Sequence, residues 1–116
     1  FPSEENPVAV NTTTASANDE IMLPDEFALF QNYPNPFNPS TQISFDIPKS
    51  EFITLRIFNL LGQDVKTLTS KILNPGRYTF DWDGKDLLNN DVASGVYFYE
   101  LRGESFISRK KMLLLR

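Results

Sequence analysis

The chain has 116 residues, a net charge of −4, and neither cysteine nor histidine. Thiolate nucleophiles, Cys/His zinc sites, Ser-His-Asp triads and disulfide staples are therefore excluded, and the length suits one domain with a tail. No strongly basic face of the kind that binds nucleic acid can be drawn from this composition.

The charge is unevenly placed. Residues 1–26 carry six acids and no Lys or Arg, which leaves nine acids against all eleven basic residues beyond them. Residues 6–20 (NPVAVNTTTASANDE) hold no aromatic residue and no apolar periodicity, too little burial to offset the entropy of ordering them. From Phe27 onward aromatics are dense, with fourteen of the fifteen in that part. The organisation expected is an acidic Thr/Asn/Ala-rich linker over 1–26, flexible unless a neighbour holds it, followed by one domain over 27–116. An unpaired sheet edge of an adjacent chain is one place where such an extended leader could be taken up in a strand-exchange assembly. The first residue is Phe1 and no charged and apolar signal pair follows it, so the chain is expected to be the C-terminal piece of something longer, with any export signal upstream.

Within the domain the apolar period is two. Ile43, Phe45 and Ile47 share one face of 41–47, and Ile53, Leu55 and Ile57 share one face of 52–58. Tyr78, Phe80 and Trp82 align in 77–83, as do Tyr97, Tyr99 and Leu101 in 96–102. Alternation rich in β-branched and aromatic residues predicts half-buried antiparallel strands. Phe45, Leu55, Phe80, Trp82, Tyr97 and Tyr99 are the expected core. Gly62, Asn74-Pro75-Gly76, Asp83-Gly84, Asn89-Asn90-Asp91, Ser94-Gly95 and Arg102-Gly103 supply positive-φ or pre-bent residues for hairpins, Pro75-Gly76 suiting the centre of a type II turn. No stretch makes a convincing helix. The pattern is that of an all-β, immunoglobulin-like antiparallel sandwich of about seven strands.

Tyr33-Pro34-Asn35-Pro36-Phe37-Asn38-Pro39 lacks three backbone donors and cannot be a central strand. A polyproline-like extended run with Asn-Pro turns is expected, with Tyr33 and Phe37 packing on the open end of the sandwich. The chain closes on Arg109, Lys110 and Lys111, then Met112, Leu113, Leu114 and Leu115, then Arg116. Four apolar residues cannot cross a membrane, which takes ~20. Two readings of this end stay open: a last strand with Leu113 and Leu115 facing the core and Met112 and Leu114 facing a neighbouring loop, or a surface read by another protein.

Other constellations carry less. Asp81, Asp83 and Asp86 resemble a calcium loop, but Gly84 comes too early for an EF-hand and Asp83-Gly84 reads better as a hairpin turn. Trp82 with Tyr78, Tyr97 and Tyr99 could form a sugar-stacking platform, yet all four fall on inward positions. The acids sit in turns, without the cleft that glycoside hydrolysis needs.

The runs QNYPNPFNPSTQISFDIP, LRIFNLLGQDVKTL, NPGRYTFDWDGKD, VASGVYFYELR and SRKKMLLLR, in this order, closely resemble the C-terminal sorting domain of the type IX secretion system. They are also similar to the immunoglobulin-like domain of flagellar hook-cap proteins. The resemblance covers residues 27–116. One departure is Asn89-Asn90, where the family commonly carries a Gly; Asn tolerates the left-handed conformation that position needs. The resemblance implies a non-catalytic module, with no cofactor and no transmembrane segment. It implies delivery of an upstream cargo from the periplasm through an outer-membrane translocon to the cell surface or medium, with a sortase-like peptidase acting afterwards. It also makes Lys110 to Arg116, with Arg109 beside them, the residues expected to recognise the partner. Two other functions remain compatible with the residues: a permanent structural, adhesion or assembly module of an extracellular protein, and a carbohydrate-binding accessory domain.

Overall fold

A computed structural model describes residues 23–116. The leader expected at 1–26 lies almost wholly outside the described residues. Among the described residues seven strands follow in chain order: β1 Ala28–Leu29, β2 Thr41–Ile47, β3 Glu51–Asn59, β4 Asp64–Leu73, β5 Gly76–Trp82, β6 Gly95–Arg102 and β7 Ile107–Leu114. They form two antiparallel sheets, one ordered β1-β2-β5 and the other β4-β3-β6-β7. No α-helix occurs among the described residues, so none there could cross a membrane. The sandwich is the fold that the alternation predicts, because each strand has one apolar face to hide and the two sheets hide them against each other.

Ile43, Phe45 and Ile47 of β2 meet Ile53, Leu55 and Ile57 of β3 and Tyr97, Tyr99 and Leu101 of β6 in one buried cluster. Trp82 is fully buried, with Phe37 at 5.6 Å and Tyr97 at 5.4 Å between ring centroids. Five of the six expected core residues are buried; Phe80 is only half-buried. The correction has a simple cause: β5 is the outer strand of the three-stranded sheet, so Phe80 has a neighbouring strand on one side only and stacks on Phe45 at 5.8 Å. Burial of Trp82, Tyr97 and Tyr99 removes the aromatic platform that a sugar would need.

The turn residues are correct in place but not all in role. β3–β4 and β6–β7 are hairpins within one sheet, whereas Asn74-Pro75 joins β4 to β5 across the two sheets. Gly76 takes φ 153°, not the value near +80° of a type II turn. Asp83-Gly84 likewise opens the long crossing 83–94 instead of a hairpin, with Asp83 Oδ1 accepting from the Lys85 N–H at 3.1 Å. Asp86 is also spent on that loop, its Oδ1 accepting from the Leu88 and Asn90 N–H groups.

Strand β4 escaped the alternation altogether. Leu55 pairs with Thr69 but Arg56 with Thr67, and Ile57 pairs with Lys66 but Phe58 with Asp64. Leu68 and Val65 are thus extra residues of two bulges, each resetting the phase of the side chains. The buried positions are Val65, Thr69 and Leu73, every fourth residue, with Thr67 and Lys71 between them exposed, so no run of alternating apolar residues marks the strand.

Tyr99 ties the chain entering the domain to the core. Its hydroxyl donates to the Phe30 carbonyl at 2.7 Å and accepts from the Asn32 N–H at 2.8 Å. Burial, offset in part by the Asn32 N–H, pushes the phenol up to about 12. A folded-state value above the unfolded one means stability that is complete below pH ~10 and falls as pH rises from there towards 12. Denaturant titrations across that range should show the loss, and Tyr99→Phe should remove this part of it. At neutral pH the same substitution leaves the Asn32 and Phe30 backbone groups unpaired, at an expected cost of ~1–3 kcal/mol.

Candidate functional site

The terminal strand is held from both sides. β7 pairs with β6 through Tyr97↔Met112, Phe98↔Lys111 and Glu100↔Arg109. Tyr97, Tyr99 and Leu101 face inward, so their partners do too: Met112 and Leu114 lie in the core. The phase is therefore opposite to the packing expected from sequence, in which Leu113 and Leu115 filled the core. Leu113 is half-buried on the outer face, and Leu115 is 49% exposed.

The eight residues expected to recognise a partner are thus divided. Lys110 lies on the inward face of β7, half-buried. Arg109 faces outward, where its Nη2 donates to the buried Glu100 carboxylate at 2.9 Å and its guanidinium covers the Phe58 ring at 5.3 Å. Arg102 reaches the same carboxylate at 3.5 Å. A buried acid requires such partners, so Arg109 supports the sheet before it can serve anything else. Lys111, Leu113 and Leu115 continue the outward row, and Lys111 is exposed.

Arg116 is bound into the fold. Its backbone N–H donates to Ser94 Oγ at 2.8 Å, its Nε to the Val92 carbonyl at 2.7 Å and its Nη2 to the Gly84 carbonyl at 2.6 Å. It also stands 3.7 Å from Asp91, whose carboxyl is held below the usual range first by the Lys85 hydrogen bond and charge, then by Arg116. Gly84, at φ +74°, makes this possible: a Cβ there would stand 2.8 Å from Arg116 Nη2 and 3.0 Å from the Pro39 carbonyl. Gly84→Ala is expected to cost ~1–2 kcal/mol in left-handed strain alone and to expel the Arg116 side chain, measurable as a lower unfolding midpoint and faster carboxypeptidase trimming.

The proline segment covers part of the β7 edge. Its peptide bonds before Pro34, Pro36 and Pro39 are cis, not those of a polyproline ribbon. Phe37 is buried against Trp82, whereas Tyr33 is 79% exposed and does not pack on the sandwich end. The Phe37 N–H donates to the Leu113 carbonyl, the Leu115 N–H to the Phe37 carbonyl and the Leu113 N–H to Asn35 Oδ1, all within 3.0 Å. Gln31 Nε2 donates to the Lys111 carbonyl at 2.9 Å. Antiparallel alternation turns the backbone groups of Arg109 and Ile107 outward as well, and among the described residues nothing takes them. Among the described residues the edge is thus closed over its last turn of pleat and open over the first.

Sequence reasoning missed Glu51. It is buried, its Oε1 accepts from the Glu104 N–H at 2.6 Å and its Oε2 from Ser105 Oγ at 3.1 Å, so it fixes the β6–β7 hairpin that launches the terminal strand. An acid opening an otherwise apolar-patterned strand was the available signal.

Residues 31–114 match the family described as "Secretion system C-terminal sorting domain". The chain belongs to this family. No curated protein matches it. Among solved structures, dimeric latent PorU from Porphyromonas gingivalis superposes with a TM-score of 0.63 at 15% identity, over 77% of this chain and 9% of that one. PorZ of the same organism, an essential surface component of its type-IX secretion system, gives 0.55 at 19% identity over 76% and 11%. FlgD from Xanthomonas campestris, a protein of flagellar hook capping, gives 0.51 at 21% identity over 78% and 63%. At these identities the likeness is one of fold, and the chain spans about a tenth of the first two and less than two thirds of the third. As a member of this family the chain is a sorting module of a secretion system.

Proposed function

We propose that this sorting domain is the non-catalytic address tag of a larger exported protein, read in the periplasm by an outer-membrane translocon of the type IX kind. The observation that carries the reading is the outward row of β7. A receptor strand can pair with the open backbone at Ile107 and Arg109 while Lys111, Leu113 and Leu115 supply register and charge. Met112, Leu114 and Arg116 contribute by fixing that row in place. The domain boundary near residue 27 is supported by Phe27, which stacks on Phe106 at 4.9 Å beside the β6–β7 hairpin. Upstream, the acidic stretch 1–26 serves as the tether to cargo and as the place where a sortase-like peptidase acts.

A reporter carrying the whole chain at its C-terminus, behind an inner-membrane export signal, tests this. It should reach the surface or medium in a host with the translocon and remain in the periplasm when the translocon is removed. Equal release from both hosts would leave the domain a permanent structural module.

A further inference from the structure

Two turns at one end of the sandwich are built to the same plan. In the β3–β4 hairpin, Asn59 Oδ1 accepts from the N–H groups of Leu61 at 2.9 Å and Gln63 at 3.0 Å, and its carbonyl accepts from Gly62 at 3.0 Å. In the crossing loop, Asp86 Oδ1 accepts from Leu88 at 3.0 Å and Asn90 at 2.9 Å, and its carbonyl from Asn89 at 2.9 Å. The fourth residue of each is left-handed, Gly62 at φ 82° and Asn89 at φ 68°. The two sequences are Asn59-Leu60-Leu61-Gly62-Gln63 and Asp86-Leu87-Leu88-Asn89-Asn90.

The turn chemistry explains the first, fourth and fifth positions but not the leucines. Tight turns favour Gly, Pro, Asn, Asp and Ser at their centres, and here all four central leucines point to solvent, exposed at 69% and 81% in one turn and 79% and 78% in the other. Single exposed apolar residues are ordinary; paired ones on two matched, hydrogen-bonded turns form a patch. The second turn is also tied to the strand that leaves the first, because the Leu87 N–H donates to the carbonyl of Val65 in β4 at 3.1 Å. Between them lies a depression of about 390 Å³ bordered by Asn59, Gln63, Asp64 and Asp86.

We propose that this end is a second docking surface, taken by a protein of the export machinery that offers two apolar clefts with a cationic or donor group between them. The inference rests on the sorting reading and extends it. Continuity supports it, since Arg116, the last residue of the terminal segment, is bound to the Gly84 and Val92 carbonyls of the same loop that carries Leu87 and Leu88. The polarity of the depression supports it too: between the leucines lie the carboxylates of Asp64, whose Oδ1 is met by Arg56 at 3.1 Å, and of Asp86, whose Oδ1 accepts from its own turn, and their second oxygens suit a donor group on a protein and not lipid hydrocarbon. Preorganised turns present their leucines without the ordering cost that a flexible loop bears.

The test uses the full chain fused to an exported reporter. A photo-crosslinking residue replaces Leu61 or Leu88 in the otherwise native chain, with Ile72, exposed on β4, as the control position. An adduct with an outer-membrane export protein from positions 61 and 88, absent from 72, is expected. Adducts with lipid alone, with a second copy of the chain, or with nothing would overturn the proposal. In parallel, Leu60, Leu61, Leu87 and Leu88 are replaced by Gln; export should drop at least about tenfold, a change equivalent to ~1.4 kcal/mol, with an unchanged unfolding midpoint. Normal export of that folded variant, alongside lost export of Lys111→Glu with Leu115→Gln, would defeat this inference and leave the sorting reading standing. Normal export of both would defeat the two together.

Discussion

Removal of Lys110 to Arg116 is expected to abolish export, and to do so by two routes at once. The segment holds Met112 and Leu114, both in the core, and losing buried side chains of this size costs ~2–5 kcal/mol each. Against a typical total of ~5–15 kcal/mol, the truncated domain should be largely unfolded at growth temperature. Its loss also strips Phe37 of the Leu113 and Leu115 backbone partners and opens the loop that Arg116 closes. Protease digestion of the precursor in periplasmic extracts should therefore show a degraded domain below an intact cargo. A truncated chain that kept a cooperative unfolding transition would contradict the assignment of Met112 and Leu114 to the core.

The second large effect is expected at Trp82, far from the terminal row in sequence. Trp82→Ala should lower stability by ~3–5 kcal/mol, because the indole packs between Phe37 and Tyr97 and its Nε1 donates to the Lys85 carbonyl at 2.9 Å. The consequence reaches the site. Phe37 carries the backbone bonds that cover the end of β7, so a cavity at Trp82 loosens the cover as well as the core. Hydrogen exchange should show faster exchange at the Leu113 and Leu115 amides than at Ile43 or Leu55. Urea titration gives the overall loss, and a loss below ~1 kcal/mol would mean that the indole is not the keystone described here.

The sandwich was legible because most of its strands are regular. β2 begins and ends where its alternation does, and Trp82, Tyr97 and Tyr99 are inside because their parity says so. β4 was not legible, since its two bulges shift the phase twice within one strand. The sheet crossings were hidden for a different reason: Asn-Pro-Gly and Asp-Gly bend a chain equally well within a sheet or between sheets. At the terminal strand the sequence carries no phase information, because Met112, Leu113, Leu114 and Leu115 put apolar side chains on both parities. Pairing with β6 decides it, Tyr97 drawing Met112 inward and leaving Lys111 and Leu113 outside. The basic cluster likewise looked uniform, yet Arg109 neutralises the buried Glu100, whereas Lys111 is exposed on the outward row.

This separation of roles makes one experiment decisive. Lys111→Glu combined with Leu115→Gln changes two exposed positions of the outward row, and surface changes of this kind stay within ~0.5 kcal/mol of stability. The measurement is the fraction of reporter exported by the doubly substituted chain, with its urea midpoint determined on the same preparation. A midpoint close to that of the unsubstituted chain together with export reduced to background is the expected result. Export at the normal level from a chain carrying both substitutions would show that the outward row of the terminal strand is not what the secretion machinery reads.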